Sequence, residues 1–167
     1  MDLEQRAKEF ATKAHAGQTR KYTGEPYINH PAAVVEIVRS VPHTDIMIAA
    51  AWLHDVVEDC DVTIKQIFDL FGHDVAKVVE GLTDKSKPSD GNRKIRKQID
   101  RDNLAKCCAD VQTIKLADLI DNTHSIIKYD KDFAVVYLRE KRELLDVLIR
   151  GNESLMTIAR HYVGENN

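Results

Sequence analysis

Cysteine is scarce in this chain, and what there is does not make a framework. Cys60, Cys107 and Cys108 form an odd set, two of them adjacent, and no CxxC occurs. A disulfide scaffold is excluded and a thiolate zinc site disfavoured, so a bound metal would have to rest on histidine and carboxylate. No apolar run approaches the ~18 residues of a membrane span. The opening stretch MDLEQRAKEFATKAHAGQTRK holds no uninterrupted apolar segment, so no secretion signal is expected and the thiols read as reduced, in the cytoplasm. Strand-like alternation, internal repeats, low-complexity tracts and a GxxxxGK phosphate loop are all missing. Nor is there an excess of one charge. Lys and Arg number 24 against 27 Asp and Glu, a net charge of −3 with a pI near 6.2, which argues against a general nucleic-acid binder.

What is present is helical periodicity. Apolar residues are 43% and charged residues 31% of the 167, the mixture of one soluble globular domain, 1–167. Leu3, Ala7, Phe10, Ala11 and Ala14 recur at three- and four-residue spacing and predict a first amphipathic helix that Gly17 ends. Pro31 stands where a helix tolerates proline, in its first turn. After Pro42, Thr44 or Asp45 caps a third helix predicted over Asp45 to Val57. Its apolar residues run almost all the way round, so it is expected to be buried. Thr63 caps a short helix to Phe71, and His73-Asp74 opens another to Leu82. Thr83 to Asn92 reads as the longest loop. Further helices are expected at about Arg93–Cys107, Asp110–Ile127, Asp132–Arg150 and Glu153–Tyr162. The fold class is an all-α bundle of eight or nine helices.

The anomaly is in the third helix. The run Ile48-Ala49-Ala50-Ala51-Trp52-Leu53 passes directly into His54-Asp55-Val56-Val57-Glu58-Asp59. Polar groups at the end of a buried helix are costly unless a metal, ligand or partner satisfies them. His54 and Asp55 can reach one ion, and Glu58 and Asp59 lie one turn further on. A bare HD dipeptide is more often just a helix emerging into solvent; HDVVED after a buried run weighs against that. His30 sits at a helix entry before Pro31, and alone would more often be a capping or surface residue. Lys115, Asp118 and Asn122 share one helical stripe, a pattern usually found in surface ion pairs. Together, two histidines and two aspartates make an N/O ligand set suited to manganese, iron or zinc in an open site. Arg20 and Lys21 lie in a polar loop about ten residues before His30. By composition alone they are solvated charges; folded over a metal, they become phosphate and base contacts.

The order His30 … His54-Asp55 … Asp118 resembles the HD-domain metal phosphohydrolase superfamily. RKYTGEPYINHP (20–31), AAWLHDVVED (50–59), FGHDVAKVVEGLTDKSK (71–87) and IKLADLIDN (114–122) look like the hydrolase domain of RelA/SpoT enzymes. In size the chain is most similar to the stand-alone small alarmone hydrolases, Mesh-type in metazoans, and the resemblance runs from about residue 3 to 160. It implies one Mn²⁺ on His30, His54, Asp55 and Asp118, with iron or zinc as other possible occupants. It implies that Glu58 and Asp59 work on the attacking water, that Arg20 and Lys21 meet base and phosphates, and that Asn122 and Ser125 contact the nucleotide. The reaction implied removes the 3′-pyrophosphate of guanosine 3′-diphosphate 5′-(di/tri)phosphate, the stringent-response alarmone (p)ppGpp, giving GDP or GTP and pyrophosphate. A small-molecule nucleotide is then the partner, with no nucleic acid, no membrane and no synthetase domain; oligomeric state is not legible. Leu119 follows KLAD where most members carry Arg or Lys. Two other readings stay open at this point: an HD phosphohydrolase for another nucleotide or phosphoester, and a nucleotide-binding sensor without turnover.

Overall fold

The computed structural model describes residues 1–164, and these divide into two compact units, one from Met1 to Thr83 and one from Asp84 onward. Among the described residues there are helices and a single isolated bridge pair, Thr19 with Pro26, but no β-strand. The all-α expectation holds. No helix among them is long and apolar enough to cross a membrane.

The first unit is built around one helix. In chain order it contains α1 (Leu3–Ala14), α2 (Asn29–Arg39), α3 (Asp45–Leu53), α4 (Val56–Asp59), α5 (Ile64–Phe71) and α6 (His73–Leu82). Every residue of α3 from Met47 to Leu53 is buried, and α1, α2 and α6 each pack against it. The all-round apolar sequence of α3 requires that many neighbours. Its run Ala49-Ala50-Ala51, and Ala7 and Ala11 on α1, are wholly buried small side chains that let helix axes approach closely. Thr44, rather than Asp45, caps α3, accepting from the Met47 amide at 3.2 Å. Thr63 and Gln66 form the reciprocal cap of α5, and Gly72, at φ 87°, makes the corner into α6 that a side chain would resist.

The second unit contains a 3₁₀ turn (Pro88–Asp90), α7 (Arg93–Lys106), α8 (Ala109–Tyr129), α9 (Lys131–Leu145) and α10 (Glu153–Tyr162). α8 is its axis, with α9 and α10 packed against it. α9 ends five residues before the predicted Arg150. The reason is in α8: the buried Gln112 Oε1 accepts from the Arg150 amide at 2.7 Å and Thr113 Oγ1 from the Asn152 amide at 3.0 Å. Those amides are drawn out of any helical ladder. Gly151 lies so close to α8 that a Cβ there would stand 2.6 Å from Leu116 Cδ1. The wholly buried Leu148 completes the turn.

The third helix also departs from its predicted span, which ran unbroken to Val57. It stops at Leu53, and the chain turns at His54 and Asp55 before the single turn α4. The His54 ring competes for the ladder: its Nδ1 lies 2.8 Å from the Ala51 carbonyl oxygen.

Overpacking α3 tests its place at the centre. Ala50→Leu should lower the unfolding free energy by about 1–3 kcal/mol, the usual cost of added methylenes in a filled core. Urea denaturation of the two proteins measures it, and an unchanged midpoint would contradict the packing described.

Candidate metal centre

Three side chains of the first unit converge. His30 enters from the first turn of α2, and His54 and Asp55 from the turn after α3. The two rings are 1% and 3% exposed, and their Nε2 atoms stand 3.2 Å apart. Asp55 Oδ2 lies 3.1 Å from His54 Nε2 and 3.5 Å from His30 Nε2. Ligands on one ion at ~2.0–2.2 Å, with angles of about 90–110°, stand about 2.8–3.6 Å from one another. The three atoms fit that spacing.

The hydrogen bonding sets their chemistry. A carbonyl oxygen only accepts, so His54 Nδ1 carries the proton toward Ala51 and Nε2 is left with its lone pair. Two buried imidazole nitrogens facing each other beside a carboxylate make a poor arrangement for neutral rings alone. A shared cation satisfies all three. The donor set of two imidazoles and one carboxylate is that of manganese, iron or zinc rather than of calcium or magnesium. The site therefore fits a divalent metal.

Around this triad are groups to which the sequence reading assigned no role. The Tyr27 hydroxyl donates to Asp55 Oδ2 at 2.6 Å and also reaches the Asp59 carboxylate. The His15 ring, itself buried, stacks on Tyr27 with centroids 4.7 Å apart, and its Nδ1 donates to Gln18 Oε1 at 2.8 Å. Gln18 Nε2 in turn donates to the Asp59 carbonyl at 2.9 Å. The one sequence signal was the position of Tyr27, three residues before His30 at the entry of the same helix.

Glu58 and Asp59 are on α4, directly after the triad, and both are exposed. Partial burial of the Asp59 carboxyl, and then the Asp55 charge beside it, push its pKa above the ordinary carboxylate value, against Tyr27, His15 and His54. Arg20 and Lys21 lie in the loop between α1 and α2. Its two ends are tied to the site region, Gln18 to Asp59 and Tyr27 to Asp55, and the Tyr27 amide bonds the Gln18 carbonyl at 2.9 Å. Within it the Arg20 amide bonds the Glu25 carbonyl at 2.8 Å, and the Lys21 ammonium covers the Tyr22 ring.

Asp118, Asn122 and Ser125 are on α8, in the second unit. Asp118 is no surface ion-pair residue: it is 5% exposed, with Lys115 Nζ at 2.8 Å from one oxygen and Asn122 Nδ2 at 2.7 Å from the other. The stripe of three polar residues thus forms one cluster around the buried Asp118, with Lys115 and Asn122 half-buried. Ser125 is half-buried one turn further on.

A family model described as the HD domain matches residues 7–147. A curated protein of Synechocystis, named probable guanosine-3′,5′-bis(diphosphate) 3′-pyrophosphohydrolase, is 54% identical over 78 residues, which are 47% of this chain and 10% of that protein. Zebrafish (Danio rerio) MESH1, a guanosine-3′,5′-bis(diphosphate) 3′-pyrophosphohydrolase, is 37% identical over 120 residues, covering 70% of this chain and 65% of its own. The chain spans only a tenth to a fifth of the length of several bacterial relatives it matches. A solved structure of a metazoan orthologue of SpoT, described as hydrolysing ppGpp and acting in starvation responses, superimposes with a TM-score of 0.89 at 27% identity, covering 99% of this chain and 98% of that one.

The Tyr27 hydroxyl is the group that holds the triad directly, through Asp55. Tyr27→Phe should leave the fold intact and weaken Mn²⁺ affinity by roughly 10–100-fold, the usual effect of removing a hydrogen bond to a ligand. Titration with Mn²⁺ followed by electron paramagnetic resonance measures it. Equal affinity in the two proteins would show that Asp55 needs no such support.

Proposed function

The chain belongs to the HD-domain family, and from that membership we propose that it is a cytoplasmic, divalent-metal-dependent hydrolase that removes the 3′-pyrophosphate of (p)ppGpp. The observation that carries this reading is the convergence of His30, His54 and Asp55 within ligand spacing, with Glu58 and Asp59 on the next turn. The likeness to the zebrafish and other 3′-pyrophosphohydrolases supports the choice of substrate.

Asp118 is the fourth ligand in this reading, a buried carboxylate already oriented through both oxygens. Bound there, Mn²⁺ supplies Lewis acidity toward water and toward a phosphoryl oxygen. The rest is done by the chain. Glu58 and Asp59 hold the attacking water and take a proton from it. Hydrolysis breaks the ester at the ribose 3′-oxygen: that oxygen leaves with a proton, and the water's hydroxyl stays with pyrophosphate. Arg20 meets base or phosphate with its planar fork, and Lys21 meets phosphate as a point charge. Asn122 and Ser125 contact the nucleotide, Asn122 sharing its amide between Asp118 and ligand.

The test is direct. Mn²⁺-loaded protein given ppGpp should release pyrophosphate and GDP in equal amounts. Glu58→Ala should keep its metal and lose about 10²–10⁴-fold in rate, the usual worth of general acid–base help. Asp118→Ala should weaken the metal itself. Turnover of other nucleotides with none of ppGpp would overturn the substrate assignment, and loss of the ion from Glu58→Ala would overturn the division of roles.

The cationic loop makes a separate prediction. Arg20→Ala or Lys21→Ala should raise KM for ppGpp more than it lowers kcat, because these groups bind ground and transition states alike. The effect should shrink as salt rises, screening being effective over ~8–10 Å at 0.1–0.15 M. Unchanged kinetics in both variants would return the loop to solvated charge.

A further inference from the structure

The second unit contains a small cavity of about 60 Å³, with four cationic side chains in its wall: Lys97, Arg101, Lys115 and Lys141. That space takes a few waters or one group the size of a phosphate. Three ammonium groups and a guanidinium around one void repel each other unless anions lie among them. Three carboxylates also line the cavity, Asp84, Asp100 and Glu140, and each has a partner of its own. Asp84 pairs with Lys97 at 3.4 Å. Asp100 is buried and accepts from the Lys85 and Ser86 amides, both at 2.9 Å, and from the Ser86 hydroxyl at 2.8 Å. Glu140 accepts a bidentate pair from Arg93, at 2.7 and 2.8 Å.

The cations divide in the same way. Lys115 serves Asp118, and Arg101 is paired with Glu143. Lys141 differs. Among the described residues it has no ion-pair partner; its ammonium lies over the ring of the buried Tyr137, 4.9 Å from the centroid. Burial, and then Lys115, pull its pKa down to about 8, against the Asp118 and Asp84 carboxylates. Lys115 joins two features of this unit: it lines the cavity and holds Asp118, the carboxylate assigned above to the metal.

We propose that this cavity is an anion subsite for one phosphate group, and that it takes a non-reacting phosphate of the substrate, with Lys141 supplying the uncommitted charge. This rests on the reading of the chain as a hydrolase of a nucleotide bearing several phosphates. Such a substrate brings more negative charge than a divalent ion and the Arg20–Lys21 loop neutralise. A phosphate in the cavity would be met by at least one whole positive charge in a partly dry setting, where charge-assisted hydrogen bonds are strong.

The probe is inorganic phosphate, titrated calorimetrically into the metal-free 167-residue chain so that no bound ion takes part. The wild type should bind one equivalent. Lys141→Met should bind at least tenfold more weakly, and Lys65→Met, at an exposed lysine paired with Asp69, as the wild type does. Exchanging an unpaired, mostly buried cation for an apolar side chain of similar length is tolerated by folds. As a check, added phosphate should raise the melting temperature of the wild type and leave that of Lys141→Met unchanged. With Mn²⁺ and ppGpp, Lys141→Met should raise KM about tenfold with kcat within about threefold. No phosphate binding by the wild type, or equal binding by Lys141→Met, overturns the subsite. Phosphate binding lost together with an unchanged KM overturns its assignment to a substrate phosphate in favour of free phosphate. A wild type that fails to hydrolyse ppGpp overturns the proposed function alone, and the phosphate titration still decides the subsite.

Discussion

The first unit depends on one constraint: an apolar helix must be buried on every side, yet must end in a histidine and an aspartate. α3 resolves this by turning. The His54 side chain takes the Ala51 carbonyl, the helix stops, and the two polar residues are delivered to a point where His30 already stands. The cost of burying two imidazoles and a carboxylate is offset in part by their hydrogen bonds to one another, to Ala51 and to Tyr27, and a shared cation would offset it further. The same three contacts that make a metal site thus also explain why the helix ends where it does.

A set of supports then holds the triad in place. Tyr27 fixes Asp55, His15 stacks behind Tyr27, and Gln18 ties the start of the same loop to α4. None of these groups is unusual in type. Their effect comes from sequence-distant segments meeting, so that the loop with Arg20 and Lys21 is pinned at both ends while its tip stays outside. Outer supports of this kind keep ligand atoms near their bound spacing.

In the second unit α8 plays the organising part with buried polar residues. Gln112 and Thr113 capture the amides of the turn after α9, Thr123 bonds back to the Leu119 carbonyl, and Asp118 is held by Lys115 and Asn122. Each buried polar atom in that group has a partner, as a low-dielectric interior demands. Lys141 differs from the cations nearby: among the described residues it has no ion-pair partner, and its ammonium lies over the Tyr137 ring.

Much of this was legible in the linear chain, because periodicity and capping are local. The boundaries of α5 and α6 were read from Thr63, Gly72 and His73, and the burial of α3 from an apolar run too complete for a surface helix. His30, His54 and Asp55 stood out because polar residues beside buried runs are expensive wherever they occur. The break at His54, the early end of α9 and the burial of Asp118 were not legible. Each depends on a side chain competing with the helical ladder or on a neighbour covering a face, and spacing along a helix is the same for a surface stripe and a buried one. The sequence by itself determined the helices and the donor atoms. The tertiary structure alone decided which donors share a point and that Tyr27 and Gln18 stand behind them, because those are distances between segments far apart in the chain.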